Sequence, residues 1–255
     1  MSHGYIFKLA VLSLAATLAS NAAAEAPAHE QHAAHWGYSG EIGPEHWATL
    51  DAGYTACATG VNQSPIDLDS LIEAELAPLV LDYAPSATDI VNNGHSIQVG
   101  YGAGSSLTIE GRKFELKQFH FHSPSENMVG GKHYPLEAHL VHQDADGHLA
   151  VVAVMFAEGN ESPVLSTLWA AVPAEAGKKG MLPAGLNVTS LLPEDQSYYR
   201  FNGSLTTPPC SEGVVWAVFK TPSAVSKQQV EQFSAMLGFA NNRPVRPVNA
   251  RPVLQ

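Results

Sequence analysis

The chain has 255 residues, 45% of them hydrophobic, which suffices for one substantial core. Only 15% are charged and the net charge is −11, a balance that excludes a nucleic-acid binder, which needs a basic face to displace counterions. No run reaches the ~18 apolar residues of a stable membrane span, no repeat recurs and no Gly/Ser-rich linker divides the chain, so a single folded domain is expected.

At the N-terminus, residues 6–18 are largely apolar, Lys8 lies near their start, and Ala22-Ala23-Ala24 follows. This is the pattern of a secretory signal peptide over 1–24, with cleavage near Ala24 or Ala26, and it predicts a periplasmic or secreted protein. Residues 25–34 are rich in Ala, Glu, His and Pro and read as a flexible tail carrying His29 and His32. The folded domain then occupies 35–255. Cys57 and Cys210 are the only cysteines. In an exported chain they are expected to form a disulfide, with two buried free thiols as the alternative.

Strand patterns follow over 97–99, 106–109, 114–122, 138–142, 149–156 and 214–219. Alternation is plain in Phe114-Glu115-Leu116-Lys117-Gln118, whereas 150–156 is continuously apolar, as a strand buried on both faces would be. Helical patterns are few and short, the best over 162–172 and 226–237. The pattern alone predicts a mixed α/β fold that is mostly β.

Two of these strand segments carry the chemistry. Successive side chains of a strand point to opposite faces, so His120 and His122 share a face while Phe119 and Phe121 take the other. His139 on the next strand segment completes a set of three imidazoles. Three protein ligands with one open position is the arrangement of a catalytic zinc, whereas structural zinc sites close all four. Gln118 is in phase with His120 and Glu137 with His139, each two residues before the ligand it would orient through the second ring nitrogen. His142 is out of phase and reads as a buried structural residue, and His46 reads as structural. His133 and His148 lie in polar, turn-like surroundings and are expected at the surface.

Around these histidines stand Trp36-Gly37-Tyr38, Gly43-Pro44-Glu45-His46-Trp47, Asn62-Gln63-Ser64-Pro65-Ile66-Asp67, Asn92-Asn93-Gly94-His95, Gly203-Ser204-Leu205-Thr206-Thr207-Pro208-Pro209 and Asn242-Arg243-Pro244. In this order, from about Trp36 to about Val253, they resemble the α-class carbonic anhydrases, and in particular the exported bacterial branch. The resemblance implies a single domain built on a large twisted, mainly antiparallel sheet of about ten strands with short peripheral helices. It implies one zinc ion per chain on His120, His122 and His139, and zinc-hydroxide-dependent, reversible hydration of carbon dioxide to bicarbonate and a proton.

It also implies roles residue by residue. Thr206 would donate its hydroxyl proton to Glu126, because an ionised carboxylate can only accept, and would itself accept a hydrogen bond from the nucleophile. Val141, Val151, Leu205, Val214 and Trp216, with Thr207, would line an apolar substrate pocket. His95 would carry the proton to solvent, with Tyr38, Asn93 and Gln98 holding the intervening water. A homodimer is compatible with the branch. The competing readings are a catalytically silent binding domain on the same fold, which would have lost a metal histidine, and an exported zinc-binding protein, which would close the site.

Overall fold

The structure is a computed structural model that describes Met1 and residues 35–255. The expected signal peptide and tail, apart from Met1, lie outside the described residues.

Among the described residues, thirteen strands join in one large mixed sheet. Its main path runs from edge to edge through Lys179–Met181, Ala87–Asn92, Ile97–Tyr101, Arg112–His122 and Leu136–Gln143. It continues through Leu149–Glu158, Glu212–Phe219, Tyr198–Ser204, Val253–Leu254 and Leu71–Ile72. The expected count of about ten describes this path. Three short strands extend the sheet beyond it: Ser106–Ile109 and Ser223–Val225 pair with strands of the path, and Val80–Asp82 pairs with Ser106–Ile109. Neighbours are mostly antiparallel; Leu149–Glu158 and Glu212–Phe219 run parallel.

Strand periodicity splits the core between the two faces of this sheet. Phe119, Phe121, Leu140, Val152 and Val154 belong to one cluster, together with Trp169 and Phe233 from the helices Pro163–Ala171 and Lys227–Leu237. The alternate residues Val151, Ala153, Val214 and Trp216 belong to a second cluster. Full burial of Phe119 and Phe121 contributes roughly 1.5–3 kcal/mol each. That anchorage holds the Arg112–His122 strand with His120 and His122 turned to the opposite face.

The helices have local reasons to begin and end where they do. Pro163 sits at the first turn, where its missing N–H has no intrahelical partner to lose. Lys227–Leu237 starts at a reciprocal Ser226–Gln229 capping box and stops at Gly238, which takes φ of 81°. His46 departs from the structural role expected of it. It is exposed before the short helix Trp47–Leu50 and its side chain makes no capping bond, because Trp47 supplies the burial at that point.

Candidate metal centre

His120 and His139 are opposite one another in the antiparallel pairing of their strands, and Gln98 is opposite His120 on the other side. His122 follows two residues along, opposite Glu137. The sheet register therefore brings the three imidazoles together: one ring nitrogen from each lies within 4.8 Å of the others.

The tautomer of each ring follows from its other nitrogen. His120 Nδ1 is 2.8 Å from Gln118 Oε1, and His122 Nδ1 is 2.7 Å from the main-chain oxygen of Asn241. Both oxygens only accept, so both Nδ1 atoms carry the proton and both Nε2 atoms are left as lone pairs. His139 is turned the other way. Its Nε2 is 2.9 Å from Glu137 Oε1 without hydrogen-bond alignment, and that carboxylate favours the proton on Nε2 and the lone pair on Nδ1.

Glu137 is held firmly for this task. Its carboxylate accepts from the Glu126 N–H at 2.7 Å, the Asn127 N–H at 3.0 Å and Asn127 Nδ2 at 2.8 Å. Burial pushes the His120 and His139 pKa values well down, and neighbouring His122 adds to both shifts; burial also lowers that of His122. The cluster is thus three neutral imidazoles with converging lone pairs.

A cation fits this cluster, and the orphaned atoms say so. His122 Nε2 is buried without a hydrogen-bond partner. Glu126 Oε2, also buried without one, lies 3.5 Å from His122 Nε2 and 3.9 Å from His139 Nδ1. Burial pushes the Glu126 pKa up to about 8, against hydrogen bonds from the Arg243 N–H and the Thr206 side chain that lower it. A divalent cation held by the imidazoles would favour the ionised carboxylate and satisfy the lone pairs together. Imidazole donors suit zinc among the divalent metals, and three of them leave a position open.

The apolar residues singled out in the sequence pack together with Trp216. Val141 is two residues beyond His139 and pairs with Val151, which in turn pairs with Trp216. Val214 belongs to the same packed cluster and Leu205 packs against it. The Trp216 ring stands edge-on to His139 at 4.9 Å. Thr206 is buried while Thr207 beside it is partly open.

His95 sits at a turn shaped by Asn93, whose Oδ1 accepts from the His95 and Ser96 N–H groups at 2.9 and 2.8 Å. Asn93 Nδ2 donates to Gln98 Oε1 at 3.3 Å. The His95 ring stacks on Trp36 at 3.7 Å, and burial followed by nearby His35 lowers its pKa. Tyr38 packs edge-on to both Trp36 and Trp47, and burial followed by Glu126 raises its pKa.

Cys57 and Cys210 are joined in a disulfide. Cys210 N–H donates to the Thr207 oxygen at 2.8 Å, which ties the bridge to the Thr206-Thr207 loop.

Asn241 was not legible as part of the site. It is fully buried, its main-chain oxygen orients His122, and its side chain bonds Ser123 N, Phe121 O and His95 O. A main-chain acceptor leaves no residue-type signal. Asn242-Arg243-Pro244 marked the segment but not this contact.

Comparison with known proteins gives one family. The profile of the eukaryotic-type carbonic anhydrases matches residues 42–255. A carbonic anhydrase of Klebsiella pneumoniae is 47% identical over 225 residues, 88% of this chain and 92% of its own. One of Neisseria gonorrhoeae is 45% identical over 247 residues, 96% of this chain and 95% of its own. Among solved structures, the α-carbonic anhydrase of Thermovibrio ammonificans in complex with sulfanilamide superposes with a TM-score of 0.86 at 52% identity. That match covers 87% of this chain and 99% of the other.

Proposed function

The chain belongs to the eukaryotic-type carbonic anhydrase family, and from that premise we propose that it catalyses the reversible hydration of carbon dioxide to bicarbonate and a proton. The observation that carries this reading is the convergence of three imidazoles, two of them fixed through Nδ1 by separate acceptors and the third set 2.9 Å from the Glu137 carboxylate, beside buried Glu126 and Thr206.

His120 and His122 through Nε2, and His139 through Nδ1, would hold one zinc ion per chain. When bound, zinc supplies a Lewis acid that makes a nucleophile available from water at neutral pH. Thr206 donates to Glu126 and so keeps its oxygen free to accept from the attacking hydroxyl group, turning that group's lone pair toward the apolar wall. Val141, Val151, Leu205, Val214 and Trp216 exclude water where carbon dioxide, which has no charge and no donor, must lie. Thr207 borders the same space. His95 takes the proton released in each cycle and passes it to solvent, across water positioned by Tyr38, Asn93 and Gln98. Its lowered pKa favours the release.

A silent binding domain would lack one of the three histidines, and a zinc store would have no use for the Thr206–Glu126 pair. The apolar segment over 6–18 and the disulfide support a periplasmic or secreted location. Among the described residues, no helix is long and apolar enough to cross a membrane.

Stopped-flow hydration of carbon dioxide with a pH indicator tests the reading. Chelation should abolish the activity and zinc should restore it. Equal turnover in metal-stripped protein would overturn it.

A further inference from the structure

Gln63 and Arg243 take no part in the reaction as proposed, yet both are buried, at 2% and 1% exposure. Arg243 Nη2 donates to the main-chain oxygen of Cys57 at 3.0 Å. Its Nη1 donates to Gln63 Oε1 at 2.9 Å and to the Ser64 oxygen at 2.7 Å. Gln63 Nε2 in turn donates to the main-chain oxygen of Cys210 at 3.0 Å. The two cysteines are therefore bridged twice, once through sulfur and once through an Arg–Gln pair that spans their carbonyl groups.

The second bridge reaches the reacting groups from both ends. At one end, Cys210 N–H donates to the Thr207 oxygen at 2.8 Å, next to Thr206. At the other, the Arg243 N–H donates to Glu126 Oε1 at 2.8 Å, and the Thr206 side chain lies close enough to that same carboxyl group to hold its pKa down. The contacts close a ring: Thr206, Glu126, Arg243, Gln63, Cys210 and back to the Thr207 main chain.

We infer that Gln63 and Arg243 are positioning residues, forming a non-covalent clasp parallel to the Cys57–Cys210 disulfide that keeps Thr206 aligned on Glu126 when the disulfide is absent. This rests on the carbon dioxide hydration reading above.

The two fastenings differ in what they orient. A disulfide limits the distance between two backbones but leaves several single bonds free to rotate. Hydrogen bonds to the carbonyl oxygens orient the peptide planes themselves: the Cys210 oxygen that Gln63 holds lies in the Cys210–Ser211 plane, which shares the Cys210 α-carbon with the plane whose N–H holds Thr207. The guanidinium spends its donors on neutral oxygens and lies 5.5 Å from the Trp47 ring. Burying a cation among neutral groups is costly. A planar fork whose donors match three fixed acceptors is what arginine offers and lysine does not. Either fastening is then sufficient for alignment, and removal of both is not.

Four zinc-loaded full-length proteins test this: wild type, Cys57→Ser with Cys210→Ser, Gln63→Leu, and the triple variant. Hydration kinetics, zinc content and the urea unfolding midpoint are read for each. Each partial change should lower kcat/KM only modestly. The triple variant should lose about tenfold or more beyond the product of the partial losses, with zinc still at one per chain and the fold retained. Losses that simply multiply would overturn the clasp.

Should the triple variant not fold, hydrogen exchange of the Cys210 amide in Gln63→Leu, with the disulfide intact, decides instead. Faster exchange than wild type supports the clasp and unchanged exchange contradicts it. A wild-type protein that holds zinc but hydrates no carbon dioxide would sink the proposed function, not the clasp.

Discussion

The main-chain oxygen of Asn241 accepts from His122 Nδ1 at 2.7 Å, while its side-chain amide donates to the oxygens of Phe121 and His95 at 2.9 and 3.0 Å. One buried residue thus sets a ligand's tautomer and pins the turn that carries His95. Asn241→Ala keeps the carbonyl but removes the bonds that aim it. Zinc affinity should fall by about 10–100-fold, the range for loss of a partner that orients a ligand. Competition with a chromogenic chelator measures this, and wild-type affinity would show that the backbone alone suffices.

His142 makes stability depend on pH without touching the reaction. Tyr83 Oη is 2.8 Å from His142 Nε2 in a fully buried contact, and burial lowers the His142 pKa from 6.5 to about 4. The folded value lies below the unfolded one, so the unfolded chain takes up a proton first as pH falls. The His142 contribution is therefore complete above pH 6.5 and is lost progressively toward pH 4, on the order of 3 kcal/mol in all. His142→Gln should flatten that part of the urea-derived stability curve. An unchanged slope between pH 6.5 and 4 would remove His142 as its source.

For His95 the expected signature is kinetic. His95→Ala should lower kcat in weak buffer by about tenfold or more while kcat/KM changes little, because proton export follows the attack on carbon. Added imidazole should restore the rate. In the wild type, kcat should rise with pH through a midpoint below histidine's ordinary 6.5, since burial and nearby His35 lower the His95 pKa. Equal losses in kcat and kcat/KM, with no rescue, would mean the substitution disturbs the metal centre instead.

What could be read from the sequence was whatever depends on side-chain identity at a fixed period. His120 and His122 share a face because strands repeat every two residues, and Gln118 and Glu137 meet their histidines for the same reason. The strand Tyr198–Ser204 was missed because Arg200, Asn202 and Gly203 break the apolar pattern. Arg200 is nevertheless buried, paired through two hydrogen bonds with Glu110 from the hairpin turn beside it. The carbonyl of Asn241 and the clasp through Gln63 and Arg243 depend on backbone oxygens distant in sequence, which no residue pattern encodes. The large sheet of about ten strands was implied only by the family resemblance, and its strand order and register came from the structure, since long-range pairing is not local information.

The most direct test of the metal centre is zinc stoichiometry read together with carbon dioxide hydration on one preparation each of wild type and His139→Ala. In the proposed site His139 would bind through Nδ1, with Glu137 behind it, so its loss would remove one of three donors and strand a buried carboxylate. Wild type should carry one zinc per chain and turn over. His139→Ala should lose most of the metal and nearly all hydration activity while keeping its folded circular dichroism spectrum. Full zinc occupancy with wild-type turnover in His139→Ala would contradict the assignment.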